Sequence, residues 1–289
     1  MAVQFTKFHG YGNDYIVFEA GELSGVESLN ELARKICDRH YGAGADGIAV
    51  VSRSEIHEAD FHVRIFNPDG SEAGLSGNGT RCAAAYLYYR DLWSADELRL
   101  NTRSGVKLYF LRERLGEGKY LFDSELGRPQ FDSASIPMLT PTSTNGPHER
   151  VIGYPLVVEG ATFSVTALQI GNPNCCIFVD DFKTLDWRRI GSAIENHQQF
   201  PDRTNVVFVR VLDRRRIELR IWERGVGETS ASGTCSCAAA VASMINGFTD
   251  RQIEVLMPGG EVQIRWREDE KVVLTGTAEI VYRGEWLAR

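Results

Sequence analysis

Two short segments, Ser76-Gly77-Asn78-Gly79-Thr80 and Ser232-Gly233-Thr234, each stand immediately before a run rich in small apolar residues. A helix starting there exposes unpaired backbone N–H groups and the positive end of its dipole, which together hold a carboxylate. The competing reading is that Ser76 and Ser232 only cap their helices, a role that serine favours. Glu223 stands nine residues before Ser232, as Asn67 stands nine before Ser76, so each turn gains a polar side chain. Arg224 offers a planar fork for a carboxylate, and Glu223 can accept from an ammonium or act as a base. Together they outline an amino-acid pocket, whereas a solvated surface ion pair is the plainer account of the doublet. The six cysteines, Cys37, Cys82, Cys175, Cys176, Cys235 and Cys237, show neither a C-x-x-C pair nor zinc spacing. They are expected as buried reduced thiols.

The elements that must position these groups emerge when the chain is compared with itself. Arg64-Ile65-Phe66-Asn67 is answered 156 residues later by Arg220-Ile221-Trp222-Glu223, and the same offset carries Glu72 to Glu228, Ser76 to Ser232 and Gly77 to Gly233. Cys82-Ala83-Ala84-Ala85 matches Cys237-Ala238-Ala239-Ala240 at 155, and Gly12-Asn13 matches Gly171-Asn172 at 159. Two copies of one domain are therefore expected. Residues 48–51, 63–66, 106–111, 205–211 and 217–222 are rich in β-branched and aromatic side chains and read as strands. Residues 80–89 and 235–245 are apolar all round, which suits a buried helix inside a curved sheet. Residues 29–38 and 187–196 read as amphipathic outer helices, and the Pro-, Ser- and Thr-rich stretch 129–148 reads as a linker. The fold class is thus α/β (α+β), with a first domain over 1–130 plus 276–289 and a second over 131–275.

A chain of 289 residues has room for two cores, and its 43% hydrophobic and 25% charged residues are those of an ordinary globular protein. An excess of acidic over basic residues, 39 to 32, argues against nucleic acid and for a small-molecule partner. No apolar run approaches the roughly 20 residues that span a bilayer. Residues 1–19 lack the pattern of a signal peptide, so the cytoplasm is the expected compartment. A homodimer is the commonest assembly for such a protein.

At these same residues the chain resembles diaminopimelate epimerase, a family of lysine and cell-wall biosynthesis. The resemblance runs over nearly the whole length. It rests on Phe8-His9-Gly10-Tyr11-Gly12-Asn13-Asp14-Tyr15, Phe66-Asn67-Pro68-Asp69-Gly70-Ser71-Glu72, Gly77-Asn78-Gly79-Thr80-Arg81-Cys82, Gly171-Asn172-Pro173, Arg203-Thr204-Asn205-Val206 and Glu223-Arg224-Gly225-Val226-Gly227-Glu228-Thr229. It implies two pseudo-symmetric domains, each a sheet curled around a central helix, with the active site in the cleft between them. It further implies that Asn13, Asn67, Asn172, Asn205, Glu223 and Arg224 grip an amino acid, while Gly77, Asn78, Gly233 and Thr234 cradle its carboxylate. The implied reaction moves an α-proton from one face to the other, using two cysteines and neither pyridoxal phosphate nor metal.

The departures fall on that chemistry. Ser76 and Ser232 stand where the resemblance places the two cysteines, Asn174 where a histidine usually partners the first, and Gly47 where a glutamine often follows Gly-Ala-Asp. A thiol ionises near about pH 8.5 and can be tuned lower, whereas an alcohol is a far weaker acid. A two-serine copy of a two-thiol mechanism should be slow. Four readings follow: cysteines replaced by design, a natural epimerase assisted by Glu223 or Cys235, a different isomerase, racemase or dehydratase on the same fold, or an amino-acid binder.

Overall fold

The computed structural model describes residues 2–74, 76–140 and 150–287. The chain divides into two compact units, one of residues 1–125 and 275–289, the other of residues 126–274. Each is built from β-hairpins, with strands such as Asn13–Glu19 and Asn205–Asp213 carrying unbroken buried runs, and from two kinds of helix.

In the first unit β1 (Ala2–Gly10) and β2 (Asn13–Glu19) form an antiparallel hairpin. Its two-residue turn has Tyr11 at φ 59° and Gly12 at φ 84°, the positive pair that a tight hairpin needs. The chain crosses through α1 (Leu29–Ile36) to β3 (Gly47–Arg53), parallel to β2, then to β4 (Phe61–Phe66) and the short β5 (Glu72–Ala73). After α2 (Gly77–Tyr89) come β6 (Glu97–Thr102), parallel to β4, then β7 (Gly105–Gly116) and β8 (Lys119–Gly127).

The second unit begins with β9 (Tyr154–Val158) and repeats the order. β10 (Ala161–Ile170) and β11 (Asn172–Phe178) form the hairpin, and α3 (Trp187–Glu195) leads to β12 (Asn205–Asp213), parallel to β11. β13 (Arg216–Glu223) and β14 (Gly227–Thr229) precede α4 (Gly233–Ile245), then β15 (Gln252–Met257), parallel to β13, and β16 (Gly260–Trp266). The last strand, β17 (Val272–Leu287), returns to the first unit, where Ala2 to His9 pair with Leu287 to Glu279.

The repeated sequence therefore corresponds to a repeated topology. α2 is buried from Asn78 to Tyr88 and α4 from Thr234 to Met244. Alanines fill both helices because a central helix in contact with strands on several sides has no room for larger residues; an extra methylene there costs about 1–3 kcal/mol. α1 and α3 instead bury one face, through Leu32, Ala33 and Ile36 and through Trp187, Ile190 and Ile194.

The stretch expected as a linker is in part a wall of the second core. Phe131, Ile136 and Met138 are buried, the last two within the cluster around Val151, Leu156 and Ile190, and Gln130 pairs with Gln169. Its apolar side chains, diluted among prolines and serines, outweigh the loop-like composition; residues 141–149 lie outside the described ones. Among the described residues, no helix is long and apolar enough to cross a membrane.

Candidate active site

The first half-site gathers at the start of α2. Ser76 is extended (φ −129°, ψ 119°), its Oγ accepts from the Gly79 amide at 3.0 Å, and its carbonyl accepts from the Thr80 amide at 2.9 Å. Capping is thus one of its roles. Its Oγ also lies 2.8 Å from the Tyr15 phenol oxygen. The Tyr15 ring is slotted between two glycines: a Cβ on Gly47 or Gly79 would come within 2.7 or 2.8 Å of its Cε1. Neither glycine has a positive φ, so close approach is what demands them.

Gly77 offers its backbone openly, since a Cβ there would meet nothing. Asn78 is buried, donates to Asn13 Oδ1 at 3.1 Å and accepts from the buried Arg81 guanidinium, whose Nε donates to the Thr277 carbonyl. Asn13 in turn donates to Asp46 at 2.8 Å. Behind it, Asp14 sits 2.6 Å from Lys7 and 3.0 Å from Arg39, and Arg39 also reaches Asp46. Burial alone would raise the Asp14 carboxyl; the hydrogen bonds and charges of Arg39 and Lys7 outweigh it and hold the group below its ordinary value. Asn67 is tied into its own turn by a 2.9 Å bond to Ser71 Oγ.

The second half-site gathers at the start of α4. Ser232 has the same extended backbone (φ −147°, ψ 123°), but its hydroxyl makes no capping bond. Burial pushes the nearby Glu223 carboxyl up from its ordinary value, and the Ser232 hydroxyl opposes this only in part. Cys235 Sγ stands 4.0 Å from Glu223 Oε1 and is fully buried; burial and the neighbouring carboxylate push its thiol well up, so it stays protonated. All six cysteines are buried and none is in a disulfide.

Around that turn runs a chain of amides. Asn205, opposite Asn174 in the parallel register of β11 and β12, donates to Asn174 Oδ1 at 3.2 Å and accepts from the Arg224 amide at 2.9 Å. Asn174 donates to the Asn172 carbonyl, and the Arg224 guanidinium to that of Asp202. Thr234 is buried beside Gly233 in the first turn of α4. No local pattern singles out Glu195, which is buried and accepts from Trp222 Nε1 at 2.7 Å and the Gly225 amide at 2.7 Å and pairs with Arg203 at 2.6 Å. It fixes the turn that carries Glu223 and Arg224. Tyr15, Asp46 and Arg81 were likewise missed as site residues; the unexpected glycine at 47 was the one signal pointing at Tyr15.

The model of the family described as Diaminopimelate epimerase matches residues 5–123 and 166–281. The chain belongs to the diaminopimelate epimerase family. It is 44% identical over 285 residues to a diaminopimelate epimerase of Pelotomaculum thermopropionicum, covering 98% of this chain and 99% of that one. To the diaminopimelate epimerase of Desulfovibrio desulfuricans it is 40% identical over 289 residues, with 99% of both covered. Among solved structures, a phenazine biosynthesis protein of the PhzF family from Bacillus anthracis superposes with a TM-score of 0.69 at 18% identity, covering all of both chains. That likeness is one of fold. Membership in the diaminopimelate epimerase family makes the chain an isomerase acting on a small molecule, and each half-site supplies an N-cap hydroxyl beside an ionisable side chain.

Proposed function

We propose that this protein interconverts the L,L and meso forms of diaminopimelate by moving a proton off one face of an α-carbon and onto the other. The observation that carries this reading is the proton-handling chemistry at the starts of two equivalent buried helices: Ser76 against Tyr15 before α2, and Glu223 beside Cys235 of α4. Inverting a carbon needs one proton-handling group for each face, and a duplicated fold provides two.

The α-proton is a weak acid, and its removal leaves charge on the carbon and its carboxylate. Amides of Gly77, Asn78, Gly233 and Thr234, at helix N-termini, are proposed to stabilise that charge in the transition state. Glu223 is the proposed base on one face. Its carboxyl is pushed up by burial, which makes its ionised form a stronger proton acceptor than an ordinary carboxylate. Asn13, Asn67, Asn172, Asn205 and Arg224 are proposed to hold the polar groups of the substrate, and Asn174 to orient Asn205. The names of the 44% and 40% identical relatives favour diaminopimelate among amino acids.

Incubation with L,L-diaminopimelate in deuterium oxide tests the proposal. Loss of the α-hydrogen resonance together with growth of the meso form is the expected outcome. No exchange at high protein concentration would overturn it.

A further inference from the structure

Ser76 cannot move a proton alone at useful speed, because a serine hydroxyl is a far weaker acid than the phenol of tyrosine, which ionises near about pH 10. Its neighbour in the structure is such a phenol, 2.8 Å away. The ring behind that phenol is held with unusual care: Gly47 and Gly79 flank it so closely that either Cβ would collide with it. Tyr15 is buried, with 6% of its surface exposed, and belongs to β2, whose start also carries Asn13. Ser76 Oγ additionally accepts the Gly79 amide at the positive end of α2, which favours negative charge developing on that oxygen.

We propose that Tyr15 is the positioning and proton-relay residue for Ser76, the pair serving one face of the substrate's α-carbon. This rests on the proton-transfer reading above. In one direction Glu223 takes the α-proton, directly or through the Ser232 hydroxyl, and the C–H electron pair passes to the carbon and its carboxylate. The Ser76 hydroxyl proton then goes to the opposite face of that carbon, while the Tyr15 phenol proton moves to Ser76 Oγ and leaves a phenolate. The reverse direction starts from phenolate and protonated Glu223. Protons and electron pairs balance without a further reactant, and solvent resets the two groups between turnovers.

The proposal accounts for three local features together. Gly47 is a glycine because a side chain there would strike the Tyr15 edge and the Phe66 carbonyl, and Gly79 is one for the same reason on the helix side. Ser76 keeps its capping bond while Ser232 does not, so the Ser76 oxygen is fixed in place for the phenol. Asn174, the counterpart of Tyr15 at the 159-residue offset, is turned to Asn205 and Asn172, so the second unit relies on Glu223 in place of a residue from its hairpin.

Tyr15→Phe removes one oxygen and keeps the ring. With L,L- and meso-diaminopimelate in deuterium oxide, inversion in both directions is expected to fall at least about 100-fold, the lower range of a lost acid–base group. Exchange at the reacting carbon should persist within about 3-fold from one epimer, whose proton faces Glu223, and vanish from the other. A merely structural role would lower both exchanges together, and that result, or inversion at the wild-type rate, would overturn the proposal. Ser76→Ala combined with Tyr15→Phe should cost no more than either change alone, since groups acting as a unit are not additive. An additive loss would also overturn it. If the unaltered protein exchanges neither epimer, the proton-transfer reading itself falls, whereas exchange by the unaltered protein with an undiminished Tyr15→Phe variant sinks only the role of Tyr15.

Discussion

Glu223 concentrates the chemistry at the residue scale because two opposed demands meet on it. Its carboxyl is pushed up by burial, and the Ser232 hydroxyl recovers only part of that. As a base it works in its ionised form, so kcat/KM should fall as pH drops through a value above the ordinary carboxylate range near about 4.3. Glu223→Gln should lose nearly all activity and flatten that acidic limb; a fully active variant would contradict the role. Stability runs the other way. A carboxyl raised in the folded state stabilises the fold below its unfolded value and loses that contribution as pH rises through its folded value. At neutral pH Glu223→Gln should therefore unfold at a higher temperature than the unaltered protein, and calorimetry at pH 7 and pH 4 should show the difference shrinking at the lower pH. An active-site residue that weakens the fold is the usual exchange of stability for function.

At the scale of the element, Gly79 joins helix, strand and chemistry. Alanine in a helix interior is worth roughly 1 kcal/mol more than glycine by propensity. At position 79 the added Cβ would stand 2.8 Å from the Tyr15 ring and 3.1 Å from Ile65, so packing should overturn propensity. Gly79→Ala is expected to destabilise the protein by about 1–3 kcal/mol and to reduce turnover by displacing the phenol from Ser76. An unchanged melting temperature with unchanged turnover would remove the steric account of both glycines. The elements themselves were largely legible: the Ala-rich runs announced buried helices, and α2 and α4 begin at Gly77 and Gly233, right after the two serines. The β-branched and aromatic runs at 63–66 and 217–222 announced the strands found at Phe61–Phe66 and Arg216–Glu223. What stayed hidden has a common cause. Tyr15 lies 61 residues from Ser76, and Glu195 lies 30 from Gly225, so their roles arise from pairings that no local pattern encodes. Phe131, Ile136 and Met138 were missed differently, as core residues set in a loop-like composition.

On the scale of the whole molecule, the two units share a topology, but the proposed chemistry falls on them unequally. The first brings Asn13, Asn78 and the Tyr15–Ser76 pair; the second brings Glu223, the Arg224 guanidinium and the linked amides of Asn172, Asn174 and Asn205. The repeat in the sequence foretold the equivalence of the helix starts, while the division of labour became visible only with side-chain partners in hand. If both sets serve one substrate, calorimetric titration of a Ser76→Ala/Ser232→Ala protein with L,L-diaminopimelate should give one molecule bound per chain. Arg224→Ala and Asn13→Ala should each weaken that single event, by at least about tenfold for the charged contact, since hydrogen bonds to charged groups contribute about 1.5–3 kcal/mol. Two independent binding events per chain, each sensitive to only one of the two substitutions, would show that the duplicated units work separately and would end the case for a two-faced proton transfer.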